Sequence, residues 1–196
     1  MGDKPLEDST GWRRAMRREM VTRRSGLSVL AHAEKSAEIV RILRSTVPRP
    51  NICAFCWPIK HEPDVLAVVQ TWRTEGTIAA LPVVLGEAQP LAFREWTTES
   101  ILQPDRYGIP TPVQGDFVHP DLILVPLNGF DAQGFRLGYG GGYFDRTLAV
   151  LSPRPLTVGV GFEINRLDSI RPESHDLPLD WIVTEAGAFN CAGSSR

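Results

Sequence analysis

The chain has 196 residues, of which 42% are hydrophobic and 22% charged, and its formal net charge is −2 at pH 7. This composition is typical of a globular protein and excludes a fibrous or disordered chain. The sequence contains neither an apolar stretch of membrane-spanning length nor a basic export signal. Its three cysteines do not suggest a disulfide framework. We therefore expect one cytoplasmic domain over residues 1–196, with no membrane partner.

The first predicted element is an amphipathic helix over about residues 10–24, which Ser25-Gly26 ends. Its apolar positions recur at helical spacing and predict a face turned towards the core. These positions are Trp12, Ala15, Met16 and Met20. The same segment carries six arginines against one acid. Clustered positive charge is also the footprint of a nucleic-acid binder, but the chain as a whole is slightly acidic and has no recognisable reader module. We expect most of these arginines to lie on a solvated helix face.

Helices and strands are then predicted to alternate along the chain. A second helix runs from after Ser28 to about Arg44, and a third from its cap Asp64 to about Arg73. The inward face of the second helix is predicted to contain Leu30, Ala33, Ala37, Ile39 or Val40, and Leu43. Short apolar runs predict buried strands at residues 52–57 and 77–85, and a more exposed strand at 91–96.

The second half of the chain continues the alternation. The predicted elements are a long loop at residues 103–118, a strand at 122–127, a long loop at 128–142, a helix at 143–151, a strand at 156–162 and a last strand at 180–184. Strands that are apolar throughout and alternate with helices are typical of α/β proteins. The fold predicted is therefore α/β, with a mostly parallel sheet flanked by helices on both faces.

A glycine-rich loop (residues 136–146) stands out, with glycines at positions 138, 140, 141 and 142. Glycine allows positive φ and a close approach of the backbone to a ligand, so we interpret this loop as functional rather than as a plain turn. Free N–H groups beside a helix N-terminus bind phosphate, and Arg136 and Arg146 bracket the loop with positive charge. Asp145 would repel a phosphate there unless it held a magnesium ion.

Two common nucleotide motifs fit this loop poorly. The Walker pattern is absent, because neither Lys-Ser nor Lys-Thr follows the glycines. The dinucleotide fingerprint fails at its third glycine, where Tyr143 stands. The fingerprint also includes an acidic residue about twenty positions further on, and Glu163 stands there, so dinucleotide binding remains a minor alternative.

Cysteine and histidine provide no convincing metal site. Cys53-x-x-Cys56 has no second Cys or His pair, and two positions three apart in a strand point to opposite faces, so we assign both to the core. The four histidines lack metal-ligand spacing. We expect His175 and Asp176 to order the loop before Asp180.

The run PLNGFDAQGFRLGYGGGYFDR, residues 126–146, resembles the 5-formyltetrahydrofolate cyclo-ligase family, also called methenyltetrahydrofolate synthetase. The resemblance extends to the basic first helix, to the apolar strand that leads to a Glu, to Tyr107–Pro112 and to His175–Asp180. It implies a fold related to ribose-5-phosphate isomerase and CoA transferases. It also implies an ATP- and Mg²⁺-dependent reaction that converts 5-formyltetrahydrofolate to 5,10-methenyltetrahydrofolate, ADP and phosphate.

The resemblance also implies roles for particular residues. ATP contacts fall on Arg13 and Arg17, which share a helix face, and along Arg136, Leu137, Gly138, Tyr139, Gly140, Gly141, Gly142, Tyr143 and Phe144. Magnesium falls on Asp145 and Asp180, and the reacting centre on Tyr143 and Arg146. The folate falls near Trp57, Glu62 and Tyr107, and the aromatic rings of Trp57 and Tyr107 are suited to stacking on an aromatic ligand.

The chain departs from the family pattern at a few positions. Arg13 replaces the usual Lys, Phe144 replaces the usual Tyr, and His61-Glu62-Pro63 replaces a Gly-Glu pair followed by Val or Ile. Two alternatives follow: a paralogue that binds nucleotide but has a different folate substrate or none, and a basic-helix RNA-binding module. For the cyclo-ligase we expect a small-molecule partner, no nucleic acid, and a monomer or weak homodimer.

Overall fold

The computed structural model describes residues 9–191. Its α-helices are α1 (Ser9–Ser25), α2 (Val29–Thr46), α3 (Leu66–Thr74) and α4 (Tyr143–Val150). Its strands are β1 (Ile52–Ala54), β2 (Ile78–Val84), β3 (Leu91–Trp96), β4 (Leu102–Pro104), β5 (Pro110–Pro112), β6 (Phe117–Val118), β7 (Leu122–Pro126), β8 (Gly129–Phe130), β9 (Arg136–Leu137), β10 (Leu156–Val160), β11 (Trp181–Thr184) and β12 (Gly187–Asn190). A 3₁₀ turn spans Glu163–Asn165.

In residues 9–191 the main sheet has eight strands, in the order β12-β11-β10-β7-β1-β2-β3-β6. The five central strands, from β11 to β2, are parallel to one another. The outer strands β12, β3 and β6 pair antiparallel. The mostly parallel α/β fold predicted from the sequence is confirmed.

Both faces of the sheet are covered. On one face, Ile39 and Leu43 of α2 and Trp72 of α3 pack in a core that includes Cys53. On the other face, Leu148 of α4 packs in a core that includes Ala54. Neighbouring residues of β1 thus enter opposite cores, which is why the parallel strands are apolar at successive positions. Each fully buried large aliphatic side chain contributes about 1.5–3 kcal/mol to stability.

The first helix has the predicted extent, but three of its six arginines are exposed, not most of them. Arg13 and Arg24 are buried together with Met20, and Arg17 is half-buried. Spacings of four, three and four place these residues on one helix face. Met20 on this face lies against Gly129 of β8, whereas the arginines meet polar acceptors in loops, such as the carbonyls of Gly138 and Lys60. The exposed arginines of α1 are Arg14, Arg18 and Arg23.

The inward face predicted for the second helix is partly wrong. Ile39 and Leu43 are buried, but Leu30, Ala33 and Ala37 are exposed. The buried positions are completed by Ser36 and Ile42. The exposed residues also have helical spacing, but they lie on a side of α2 that neither α3 nor the sheet covers. Ser28 caps the helix as its position suggests, accepting a hydrogen bond from the Ala31 N–H at 3.1 Å.

Several segments predicted as loops contain short strands. Residues 103–118 include β5, β6 and most of β4, with β4 and β5 forming a hairpin. Residues 128–142 contain the β8–β9 pair, and β12 follows the strand predicted to be last. Strands of two to four residues, here rich in proline, are too short to give a periodic signal. Within the described range, no helix combines the length and apolarity needed to cross a bilayer.

We predict that Gly134→Ala destabilises the fold by roughly 1–3 kcal/mol more than Gly108→Ala does. Both glycines have positive φ, at 89° and 77°, so both substitutions add backbone strain. A Cβ at Gly134 would lie 2.8 Å from the Leu179 carbonyl oxygen and from the Cys191 Cβ, whereas a Cβ at Gly108 meets nothing within 4 Å. Urea unfolding measures the difference, and equal losses would show that steric crowding at Gly134 is unimportant.

Candidate active site

The candidate active site lies beyond the carboxyl ends of the central parallel strands. After β1 the chain turns through residues 55–62, and after β7 it passes through Asn128 into β8. In parallel sheets, ligands bind in the crevice outside these strand ends. The face of α1 that carries Arg17 and Arg24 meets both segments, and so does the glycine-rich loop.

The glycine-rich loop is shaped to receive an anion. Gly140 and Gly142 adopt positive φ, at 95° and 64°, and Gly142 caps α4. Among residues 9–191, no acceptor takes a hydrogen bond from the backbone N–H groups of Gly140–Gly142. A Cβ at Gly140 would lie 3.4 Å from the guanidinium of Arg17. Free N–H groups, a helix N-terminus and an adjacent arginine together form a phosphate-binding arrangement.

Arg13 and Arg17 share a face of α1, as their spacing predicts. Arg17 donates from Nε to the Gly138 carbonyl at 3.0 Å, and burial, followed by the nearby charge of Arg13, lowers its pKa. Arg13 is paired with an acidic loop (residues 173–176), at 2.8 Å from Asp176 and 3.4 Å from Glu173. Its Nε is buried without a hydrogen-bond partner in the described chain. Asp176 thus neutralises part of this cationic face.

Arg136 and Asp145 form an ion pair beneath the loop. Arg136 is buried and lies 3.1 Å from Asp145 Oδ1, which also accepts a hydrogen bond from the Leu177 N–H at 3.1 Å. Arg136 donates a second hydrogen bond to the Leu177 carbonyl at 2.9 Å and has its guanidinium over the Phe144 ring. Burial lowers the pKa of Arg136, and Asp145 opposes that shift. In residues 9–191, Oδ2 of Asp145 accepts no hydrogen bond.

Asp180, the other carboxylate assigned to magnesium, has different partners. Its Oδ2 accepts hydrogen bonds from the Thr157 N–H at 2.8 Å and from the Thr157 hydroxyl at 2.7 Å. Its Oδ1 lies 3.5 Å from Arg154. These contacts tie the beginning of β10 to the beginning of β11. Asp145 and Asp180 therefore share no partner, and the geometry favours only Asp145 as a ligand beside the glycine-rich loop.

Tyr143 and Tyr107 meet in front of the loop. Their hydroxyls are hydrogen bonded at 2.8 Å and their rings are in an edge-on arrangement, with centroids 5.9 Å apart. The hydrogen bond with Tyr107 raises the pKa of Tyr143. Arg146 stacks on the Tyr143 ring and donates from Nη2 to the Gly141 carbonyl. Its Nε is buried without a hydrogen-bond partner within residues 9–191.

Glu62 is buried, with only 5% of its surface exposed. It ends a turn, here called the Glu62 turn (residues 59–62), in which the Ile59 N–H donates to its Oε2 at 3.0 Å. The Tyr139 hydroxyl donates to its Oε1 at 2.5 Å, so a residue of the glycine-rich loop touches the acid after β1. Burial raises the pKa of Glu62, although Tyr139 opposes the shift.

The sequence analysis missed Arg24, which is 1% exposed and belongs to the same network. Its Nη2 donates to the Tyr139 hydroxyl and its Nη1 to Asn128 Oδ1, both at 2.7 Å. Asn128 in turn donates to the Arg17 carbonyl at 3.2 Å. The helical spacing of positions 13, 17, 20 and 24 is the signal that would have found it.

An open groove of about 440 Å³ lies beside the Glu62 turn. Its volume falls in the range of small-molecule sites. The lining residues include His32, Trp57, Lys60, His61 and Glu62. Trp57 is packed edge-on against Trp96, and Tyr107 against Tyr143, so the two predicted folate-stacking rings belong to separate pairs.

The two cysteines near β1 behave as core residues. Cys53 is fully buried and Cys56 is largely covered, and burial raises the pKa of both thiols far above its ordinary value. Such thiols stay protonated, which is the opposite of what a metal ligand or a nucleophile requires. In the described part of the chain, no three His, Cys, Asp or Glu side chains cluster in a way that would hold a metal ion.

Fold and site together define an α/β protein in which a glycine-rich loop with free N–H groups meets a groove with a buried acid. The family model for the 5-formyltetrahydrofolate cyclo-ligase family matches residues 9–185. The chain belongs to that family.

Known relatives agree along most of the chain. A 5-formyltetrahydrofolate cyclo-ligase of Mycolicibacterium smegmatis is 28% identical over 145 residues, which cover 68% of this chain and 73% of the relative. The 5-formyltetrahydrofolate cyclo-ligase of Escherichia coli K12 is 33% identical over 124 residues, which cover 60% of this chain and 68% of the relative. The structure of Aquifex aeolicus 5,10-methenyltetrahydrofolate synthetase matches with a TM-score of 0.78 and 27% identity, covering 92% and 93% of the two chains.

We predict that Glu62→Gln makes the protein progressively more stable, relative to wild type, as the pH rises above about 4.5, the ordinary pKa of a glutamate. Burial raises the folded-state pKa of Glu62, so its neutral form favours folding, and that stability is lost as the pH rises through the folded value. Glutamine does not ionise and escapes this loss. Urea unfolding at several pH values measures the effect.

Glu87→Gln is the matched control, because the Glu87 side chain is 84% exposed. If the two variants differ from wild type by the same pH-dependent amount, burial does not control the protonation of Glu62.

Proposed function

We propose that this chain catalyses the ATP- and Mg²⁺-dependent conversion of 5-formyltetrahydrofolate to 5,10-methenyltetrahydrofolate, with release of ADP and phosphate. Family membership supports the reaction class, and the relatives of comparable length carry the same activity in their names. The proposal also includes a monomer or weak homodimer in the cytoplasm that does not bind nucleic acid.

One observation carries the proposal: the hydrogen bond at 2.5 Å between Tyr139 and Glu62. It brings the glycine-rich loop, suited to a nucleotide, into contact with the groove, suited to a folate. A phosphoryl transfer between two substrates needs this adjacency, because the attacking and leaving oxygens must lie in line a few ångströms apart.

The proposed reaction has two steps. The formyl oxygen of 5-formyltetrahydrofolate attacks the γ-phosphorus of ATP, the bond from that phosphorus to the bridging oxygen breaks, and ADP leaves. N10 of the folate then attacks the activated formyl carbon and loses its proton. The carbon–oxygen bond breaks and releases phosphate, which leaves the N5=C–N10 bridge of the product. The scheme requires no covalent enzyme nucleophile.

The residues of the chain act by binding and by charge neutralisation. The free N–H groups of Gly140–Gly142 and the guanidinium of Arg17 face the phosphate chain. Arg146 is held at the loop by its hydrogen bond to the Gly141 carbonyl, so its positive charge lies close to the transferred group. Fixed donors of this kind stabilise charge that develops in the transition state, and each is worth a factor of about 10²–10³ in rate. We assign Tyr143, which is hydrogen bonded to Tyr107 in front of the loop, to the reacting centre.

The residues present fit a magnesium ion at Asp145. Its Oδ2 accepts no hydrogen bond within residues 9–191, and the side chain is 19% exposed, so one oxygen is open on the loop side. Magnesium in nucleotide sites commonly has one or two carboxylate ligands plus phosphate oxygens and waters. When bound, the ion would neutralise the charge on the phosphates. Asp180 does not fit, because Thr157 and Arg154 engage its two oxygens.

On the folate side, Glu62 offers a carboxylate to the N–H donors of a pterin ring. Trp57 supplies an aromatic wall of the groove, and Lys60 and His61 line its rim. Each Glu62 oxygen already accepts one hydrogen bond, from the Ile59 N–H or the Tyr139 hydroxyl, and a carboxylate oxygen can accept a second one from the ligand.

The activity itself is tested by following methenyltetrahydrofolate absorbance after mixing the protein with 5-formyltetrahydrofolate, ATP and Mg²⁺. Product that forms only when all three are present supports the proposal. Folded protein that yields no product under these conditions contradicts it.

A second candidate is a paralogue that binds nucleotide but has a changed folate specificity. It is favoured by His61, which has a φ of 59° where relatives usually have glycine, and whose ring contacts His32 at the edge of the groove. Calorimetric titration separates the two: nucleotide binding without 5-formyltetrahydrofolate binding supports the paralogue. The RNA-binding alternative loses support, since Arg13 and Arg24 are buried and unavailable to phosphates of a large ligand.

We predict that Asp145→Asn lowers kcat/KM by about 10²-fold or more, because it removes the carboxylate that neutralises and orients the magnesium nucleotide. The amide still accepts a hydrogen bond, so the buried Arg136 keeps a partner. Steady-state kinetics at several magnesium concentrations measures the effect, which should include a weaker apparent affinity for the metal.

Asp180→Asn makes the same chemical change at the beginning of β10 and β11 and is the matched control. It should reduce stability while the apparent magnesium affinity stays at the wild-type value. Loss of magnesium affinity in Asp180→Asn but not in Asp145→Asn would reverse the assignment.

A further inference from the structure

Arg24 is the most deeply buried charged side chain near the site. Its guanidinium donates from Nε to the Lys60 carbonyl, from Nη1 to Asn128 Oδ1 and from Nη2 to the Tyr139 hydroxyl, each at 2.7 Å. Its closest anion is Glu62, at 3.9 Å. The side chain is 1% exposed, so it does not reach a substrate in the groove. It acts on the site only through these four partners.

Three of these four partners belong to the two halves of the proposed site. Lys60 and Glu62 lie in the Glu62 turn, on the folate side, whereas Tyr139 lies in the glycine-rich loop, on the nucleotide side. The fourth partner, Asn128, follows β7 and holds the guanidinium by accepting its Nη1 hydrogen bond. The planar fork of an arginine reaches several acceptors at set angles, which the single ammonium of a lysine does not.

The Glu62 turn needs such a support. Lys60 and His61 both adopt positive φ, at 48° and 59°, although neither is glycine. Non-glycine residues held in this region are strained and persist only when their surroundings hold them in place. The Arg24 hydrogen bond is made to the carbonyl of the first of these two residues. The ammonium of Lys60 also lies over the Tyr139 ring, 4.9 Å from its centroid.

We propose that Arg24 is a positioning residue that couples the two halves of the site. It fixes the Tyr139 hydroxyl and the Glu62 turn relative to each other. A nucleotide that orders the glycine-rich loop therefore also orders Glu62 on the folate side, and a bound folate orders the loop in turn. Binding of one ligand therefore strengthens binding of the other. This inference rests on the proposed function, because it takes the nucleotide and the folate as the two ligands.

The test is calorimetric, on the full chain. The dissociation constants of a magnesium-bound, non-hydrolysable ATP analogue and of 5-formyltetrahydrofolate are measured separately and then each in the presence of the other. In the wild type we expect each ligand to tighten the other by the same factor, about fivefold or more, as linkage requires. In Arg24→Met we expect this factor to fall close to one.

Two further variants define the role of the guanidinium. Arg24→Lys keeps the charge but not the fork, so it should lose most of the coupling; wild-type coupling in this variant would contradict a geometric role. Arg23→Met is the matched control, because Arg23 neighbours Arg24 on α1 but is exposed and pairs with Glu19 on the surface. It should keep the wild-type factor, and coupling lost equally in Arg23→Met would overturn the proposal.

Folding of each variant is checked by circular dichroism. If Arg24→Met is unfolded, Tyr139→Phe provides the test instead. It removes only the hydroxyl that joins Arg24 to Glu62 and should abolish the coupling. Unchanged coupling in Tyr139→Phe or in a folded Arg24→Met overturns the proposal, as does a wild type in which neither ligand affects the other. Wild-type turnover separates the two claims: coupling that fails in an active enzyme removes only the role of Arg24, whereas an inactive wild type removes the proposed function.

Discussion

Buried guanidinium groups must meet acceptors, and this constraint organises the whole candidate site. Arg13, Arg24 and Arg136 are each at most 6% exposed. An unpaired buried charge costs several kcal/mol, so each one draws a loop into a defined position. Arg13 holds the acidic loop, Arg136 holds Asp145 and the backbone of Leu177, and Arg24 holds the Glu62 turn. The loops that surround the site thus have set positions even though they contain little regular structure.

The parallel sheet supplies the frame for these contacts. Its central strands end at one edge, where β1 leads into the Glu62 turn and β7 leads towards the β8–β9 pair. The helix α1 lies over this edge with its cationic face inward. The glycine-rich loop and the groove beside Glu62 therefore meet under the arginines of α1, and this positive charge suits the proposed reaction, which spreads negative charge over a phosphoryl group. Asp180 takes part in a different task, as it ties β10 to β11 at their beginnings.

The fold was largely predictable from the sequence because apolar runs of strand length and helical spacing reflect burial directly. The β1, β2, β7 and β10 segments were found this way. The two-residue strands β6, β8 and β9 were not, because they are too short to show a period. The wrong face of α2 has another cause: apolar residues at helical spacing occur on both sides, with Ile39 and Leu43 covered and Leu30, Ala33 and Ala37 exposed.

The candidate site was predictable in part. The glycine-rich loop was predicted from its four glycines, and Glu62 and Tyr107 were predicted from the family resemblance. The role of Arg24 and the pairing of Asp176 with Arg13 were not foreseen, because both depend on contacts between residues more than a hundred positions apart, as in the 2.7 Å contacts of Arg24 with Asn128 and Tyr139. An arginine on a basic helix is ordinarily a solvated residue, and only the tertiary structure shows which ones are buried.

The central claim is that nucleotide and folate occupy one site together. Initial rates over a grid of ATP and 5-formyltetrahydrofolate concentrations test it most directly. If both substrates bind before any product leaves, double-reciprocal plots intersect. Parallel lines would indicate a ping-pong mechanism through a covalent enzyme intermediate and would contradict the account.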